Sequence, residues 1–292
     1  MKNIIKIFLF IVLAHSSLFA VNDNNLTEKQ LEYIQEIQKI WDTVSPQHGV
    51  ITLPNGVATL NIPEGFYYLN PEDSQTVLET LWGNPPGPKP QGMIFPAGKT
   101  ALDGDAWAVT IDYEEDGYVE DDDADDINYD DLLEEMREAV DAGNEDRANM
   151  GYEQLTLVGW ASKPYYDKLT HKLHWAKEIK FGNQELNTLN YNIRVLGRKG
   201  VLVLNFIAGM DQLEMINSEL ENVLALASFD DGSTYADFNP DIDTVAAYGI
   251  GALIAGKLVA KTGLLVGALL LLKKFWFILV LGVGALFRGK KK

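Results

Sequence analysis

The sequence predicts an α+β fold, an antiparallel meander with packed amphipathic helices, followed by a C-terminal transmembrane helix. Three observations carry this expectation. Four strand-like runs joined by short polar connections lie between Gln154 and Ile207. Helical periodicity marks Thr27 to Trp41, about Tyr129 to Ala148, and Asp211 to Ala227. From Thr244 to Lys292 acids vanish, and Lys257, Lys261, Lys273 and Lys274 are the only charges between Val245 and Phe287.

In chain order, residues 1–20 have the layout of a secretory signal: Lys2 and Lys6, an apolar core from Ile7 to Ala14, and a small residue at Ala20. Cleavage after Ala20 and retention as an uncleaved anchor would both export the chain beyond it. The exported body is then residues 21–243. In its first part, Leu31, Ile34, Ile37, Ile40 and Trp41 fall on one side of a helix that a Thr27–Gln30 capping box opens. Short strands are expected at Val50–Leu53, Val57–Ile62 and Phe66–Leu69, separated by turns at Pro54-Asn55-Gly56 and Pro63-Glu64-Gly65. A second helix begins at Asp73 and ends near Trp82, where Gly83-Asn84-Pro85-Pro86-Gly87-Pro88 precludes regular structure. Ala106 to Tyr113 reads as a strand.

The acidic helix from Tyr129 turns Leu132, Leu133, Met136, Ala139 and Val140 to one side. The meander then comprises Gln154–Ala161, Thr170–Phe181, Asn187–Leu196 and Val201–Ile207, the last two joined by the hairpin turn Gly197-Arg198-Lys199-Gly200. A helix with Leu213, Ile216, Leu220, Val223 and Leu224 inward covers one sheet face. A polar, turn-rich stretch from Asp230 to Asp243 leads to the anchor region, residues 244–287. A span needs roughly 20 apolar residues, which fits either Gly263–Phe287 or Ala246–Leu272, each with lysines inside. The basic tail, residues 288–292, is expected in the cytoplasm, with the body in the periplasm or outside. Gly263 and Gly267 form a small-xxx-small pair suited to self-association or a partner helix.

Removing both ends sharpens the charge. All 42 acids but only 14 of the 24 bases lie in residues 21–243, a net charge of about −28. Such a body repels nucleic acid and anionic headgroups and favours cations or basic partners. The absence of cysteine excludes thiol nucleophiles, zinc thiolates and iron–sulfur clusters.

Two stretches carry residue types suited to chemistry. Asp112, Glu114, Asp116, Glu120 and Asp123 occupy acidic positions of a calcium-loop template with Gly117 at its turn, although Asp123 replaces the usual bidentate Glu and the entering segment reads as a strand. Asp167, His171, His174 and Glu178 are a candidate catalytic set. On a helix, His171, His174 and Glu178 would share a zinc-binding face; on the strand that the flanking pattern indicates, the histidines diverge, while Asp167 can still orient His171 across a turn. Arg194, Arg198 and Lys199 cluster near a hairpin and could hold an anion or pair with the surplus acids. No nucleophile elbow, paired-histidine zinc motif or phosphate-binding glycine loop occurs.

Several stretches resemble a bacterial family of membrane-anchored proteins, domain of unknown function 2167: Trp82-Gly83-Asn84-Pro85-Pro86, Asp116-Gly117-Tyr118-Val119, Gly159-Trp160-Ala161 with Pro164, Tyr166 and Asp167, Thr170-His171-Lys172-Leu173 with Trp175-Ala176-Lys177-Glu178, Leu189-Asn190-Tyr191 through Arg194-Val195-Leu196-Gly197-Arg198, Tyr235-Ala236-Asp237-Phe238 and Ala246-Ala247-Tyr248-Gly249. The resemblance implies an exported domain with a C-terminal membrane segment and no assigned catalytic residues. The expectation from the whole sequence is a membrane-anchored module that binds a protein or envelope component. A metal-dependent or hydrolytic envelope enzyme is the alternative, and a calcium-responsive domain the third reading.

Overall fold

The structure, a computed structural model, describes residues 27–255. Helix α1, Glu28–Trp41, opens with the expected Thr27–Gln30 capping box and buries Tyr33 and Ile37. Strands β1 (Gly49–Thr52), β2 (Ala58–Ile62) and β3 (Phe66–Leu69) follow. Asn70 then caps the short helix α2 (Pro71–Gln75) with Pro71 in its first turn, and the chain continues as a π-helical segment, Thr76–Leu81. After the proline-rich loop come β4 (Gly92–Pro96), β5 (Ala108–Glu114) and the long acidic helix α3 (Tyr129–Met150). The meander is β6 (Leu155–Asp167), β7 (Lys172–Phe181), β8 (Thr188–Leu196) and β9 (Val201–Gly209). Helix α4 (Leu213–Leu226), β10 (Ala227–Phe229) and the short helix α5 (Ile250–Ala255) complete the described chain.

Seven strands form one antiparallel sheet in the order β3-β4-β5-β9-β8-β7-β6, and β1-β2-β10 form a second. Alternation sorts each strand between two faces. On one face, Val109, Ile111, Ile193, Leu204 and Phe206 pack with Leu60 and Ile62 of the small sheet and with Ile216 and Val223 of α4. The other face carries two apolar patches. Met93, Phe95 and Ala108 meet Tyr33 and Ile37 of α1, whereas Leu173, Trp175, Val201 and Val203 meet Leu132 and Met136 of α3 and Ile250 and Leu253 of α5. Fully burying a side chain of this size contributes about 1.5–3 kcal/mol.

The antiparallel sheet and packed helices match the α+β expectation; the transmembrane helix does not. Among the described residues no helix is long and apolar enough to cross a membrane. Residues 244–255, the start of the expected anchor region, belong instead to the folded body. Tyr118 N–H donates to the Thr244 carbonyl and Ala246 N–H to the Tyr118 carbonyl, both at 2.8 Å, a parallel bridge that seats the segment against the 116–123 loop. Helix α5 then buries Ile250, Leu253 and Ile254. An apolar stripe at helical spacing fits a core as well as a bilayer, and here α3 supplies the core. The expected leader, the remainder of the anchor region with Gly263 and Gly267, and the basic tail lie outside the described residues.

Candidate functional site

The turn between β6 and β7 holds the one non-glycine residue among those described with a positive φ, His171 at 52°. Histidine is among the residues that tolerate this region. Asp167 fixes the turn by accepting from Leu169 N–H at 2.9 Å and from Thr170 Oγ1 at 2.7 Å. Those bonds, the Thr170 hydroxyl first, hold the Asp167 carboxyl below its usual range. His171 is pinned to β8 because its carbonyl accepts from Leu196 N–H at 3.0 Å.

The His171 ring meets a carboxylate that the sequence does not place beside it. Tyr166 Oη donates to Asp121 Oδ2 at 2.6 Å and lies 3.2 Å from His171 Nδ1, while Asp121 Oδ2 and His171 Nδ1 are 3.6 Å apart. Burial, reinforced by the bond to Asp121, pushes the Tyr166 hydroxyl far above its ordinary pKa, so it keeps its proton. Since that one proton goes to Asp121, the neutral imidazole is assigned the Nδ1–H tautomer, donating to Tyr166. Nε2 is then its acceptor.

On its flat side His171 begins a ladder of rings. It stacks on Tyr235 at 4.0 Å between centroids, Tyr235 on Tyr118 at 4.4 Å, and Tyr118 on Phe238 at 3.9 Å. All four rings are half-buried. Tyr235 comes from a 3-10 turn, Tyr235–Asp237, and donates to the Val119 carbonyl at 3.0 Å. Carboxylates rim the ladder: burial foremost, then Asp121, Glu120 and Asp122, push the Tyr118 pKa up. The chain segments that build the ladder also expose apolar side chains, Leu169 at 92% and Ile242 at 71%. An aromatic ladder with a negative rim suits a cation, by charge and by the outer faces of its terminal rings, since those between stacked rings are covered.

The expected catalytic set is divided. His171 faces α3's side of the sheet, whereas His174 is beside Tyr165 on the side that α4 covers. Burial, then Lys172, holds the His174 ring below the ordinary histidine range. Glu178 shares that opposite side by alternation and accepts from Asn187 at 2.5 Å. Asp167 serves the turn rather than the imidazole. The acidic positions of the calcium template are likewise spread out, and among the described residues no three His, Cys, Asp or Glu side chains are placed to hold a metal ion. Asp112 lies in β5, where burial pushes its pKa up to about 6 against the pull of Arg194, and Glu114 ends that strand. Asp116 binds Tyr248, Glu120 is exposed, and Asp123 accepts from Ile250 N–H at 3.0 Å, capping α5. Gly117 has its own reason, since a Cβ there would lie 2.5 Å from the Thr244 carbonyl oxygen.

The basic cluster also disperses. Arg198 pairs with Asp243 at 2.7 Å, Lys199 is exposed, and Arg194 crosses to lie 4.9 Å above the Trp175 ring. Sequence reasoning missed Asp121 as the partner of Tyr166 and His171, and it missed the ladder. One signal was present: Asp116–Val119, Tyr166, Thr170–Leu173, Tyr235–Phe238 and Ala246–Gly249, stretches that carry the family resemblance, meet in this region.

The comparison with curated proteins found no match. Among solved structures, the chain is similar to the solution structure of cyanobacterial PsbP (CyanoP) from Synechocystis sp. PCC 6803, at 11% identity and a TM-score of 0.33 over 64% of this chain and 92% of that one. It is also similar to a point mutant of the protein Mog1, at 12% identity and a TM-score of 0.28 over 63% and 95% of the two chains. Likenesses at these TM-scores carry no argument. A family match, by contrast, spans residues 45–284, most of the chain, and makes it a member of the family described as Protein of unknown function (DUF2167).

Proposed function

We propose that this chain is an exported binding module that docks a basic segment of a protein partner on the His171–Tyr235–Tyr118–Phe238 ladder. The observation that carries the reading is the ladder itself, four stacked rings rimmed by Glu120, Asp121 and Asp122. A lysine or arginine side chain laid on the outer face of Phe238, at the end of the stack, gains cation–π attraction, about 0.5–1 kcal/mol where exposed. The leader-like layout of residues 1–20 and the charge of about −28 on residues 21–243 support an exported, cation-seeking body. Exposed Leu169 and Ile242 add apolar area of the kind found at interaction surfaces.

The test is calorimetric titration of the protein with a lysine- and arginine-rich peptide, against a peptide of equal length with glutamine at the basic positions. Saturable binding of the basic peptide that weakens with salt, and that Phe238→Ala reduces several-fold, is expected. Equal binding of both peptides, or of neither, refutes the proposal.

A further inference from the structure

Between its two apolar patches, the sheet face beneath α1 and α3 carries a polar strip. Asp112 of β5, Asn205 of β9, Asn190, Asn192 and Arg194 of β8 and Lys177 of β7 share this face by alternation, with Asn205 paired to Asn192, Asn190 to Lys177 and Arg194 to Val203. The asparagines bind one another: Asn190 Nδ2 donates to Asn205 Oδ1 at 2.7 Å, and Asn192 Nδ2 to Asn190 Oδ1 at 3.0 Å.

Two cations sit on this strip; Asp112, Glu114 and Tyr248 face Arg194 and attract it, but none closes an ion pair with it. Among the described residues neither Lys177 nor Arg194 takes part in an ion pair. The Arg194 guanidinium is held over Trp175, and its one hydrogen bond among the described residues runs from Nη1 to its neighbour's carbonyl, at 3.3 Å. Its Nε and the Trp175 Nε1 are buried with no hydrogen-bond partner among the described residues. Burial, then repulsion from Arg194, pushes the Lys177 pKa down to about 8, and burial pushes Arg194 down to about 10. Asp112 is the strip's own carboxyl, and burial raises it to about 6. Buried like charges with unused donors are costly, and a chain with 42 acids has no shortage of carboxylates to pair them. The unused donors fit a negative group that comes from outside.

We propose that this strip is a binding site for a small oxyanion, a carboxylate or a phosphate, held between the Lys177 ammonium and the Arg194 guanidinium beside the asparagine amides. The site is separate from the aromatic ladder and opposite to it in the charge it selects. A bound anion favours the charged form of Lys177 and the neutral form of Asp112, so binding takes up protons.

The full-length protein would be titrated calorimetrically near pH 8 with inorganic phosphate and, separately, with succinate, each in two buffers of different ionisation heat. Saturable binding of one or both probes is expected, with proton uptake; which probe binds tells phosphate from carboxylate. Lys177→Met and Arg194→Met should each weaken it about tenfold or more, Lys177→Arg should largely retain it, and Lys180→Met, at an exposed position of the same strand, should leave it unchanged. Retention by Lys177→Arg separates loss of charge from loss of fold. The proposal is overturned if neither probe binds up to about 10 mM, some tenfold above a millimolar dissociation constant, or if binding survives both methionine substitutions.

Discussion

Replacing Gly117 by alanine separates two readings of the acidic loop. Gly117 has φ of +101°, and a Cβ there would lie 2.5 Å from the Thr244 carbonyl oxygen and 3.1 Å from the Ala246 nitrogen. Placing an L-residue in a left-handed conformation costs roughly 1–2 kcal/mol. Backbone atoms cannot rotate aside, so relieving the contact displaces residues 244–246 and sacrifices the two hydrogen bonds of the Tyr118–Val245 bridge. At about 1 kcal/mol each, the total reaches about 3–4 kcal/mol. With a urea m-value of about 2–3 kcal/mol/M, the midpoint should fall by on the order of 1–2 M, read by tryptophan fluorescence, with or without calcium. A midpoint within about 0.2 M of the parent, a difference below about 0.5 kcal/mol, would show that residues 244–255 are not part of the cooperative body.

Three further outcomes rest on the same kind of contact. Leu253→Ala removes a side chain that is 4% exposed beneath α3 and should cost about 2–5 kcal/mol in urea denaturation; an unchanged midpoint would detach α5 from the core. Tyr166→Phe removes the hydroxyl between Asp121 and His171, a loss of about 1–3 kcal/mol, seen as a lower Tm by scanning calorimetry; a raised Tm would contradict the assigned bonding. Lys177 supplies the pH test. Its pKa is about 8 in the folded chain against 10.5 unfolded, so between those values the unfolded chain holds a proton that the folded chain has lost. The Lys177 contribution to stability therefore rises with pH from about 8 upward, until the tyrosines begin to oppose it near 10. Lys177→Met should abolish that rise, whereas an identical pH profile in the variant would show that Lys177 is not buried as described.

Much of the fold is legible in the sequence because local rules and tertiary packing agree there. The Thr27–Gln30 box starts α1, and alternation together with the Gly197–Gly200 turn places β8 and β9. Strand β4 is missed because Gly92 to Phe95 is buried on both faces and shows no alternation, between a proline-rich loop and Pro96. β6 runs past the expected Ala161 through Pro164, which register shifts accommodate. The transmembrane reading fails at residues 244–255 because composition reports apolarity without naming the partner, and the partner is α3. Gly117, which sits at the turn of the calcium template, also has a packing reason, the close passage of Thr244. Site geometry is the least legible part: Tyr166 and Asp121 are 45 residues apart, and only the packed turns bring them together. Arg194 and Lys199 look alike in the sequence, yet one lies on the sheet face and the other in the hairpin turn.

The central claim is that the aromatic ladder is the docking face, and in-cell photocrosslinking tests it most directly. A photoreactive side chain in place of Phe238, at the end of the ladder, should capture a protein through a lysine- or arginine-rich segment, while one at Glu214 on the distant face of α4 should not. Capture at both positions alike, or none from position 238 with the protein folded and expressed, would contradict the account.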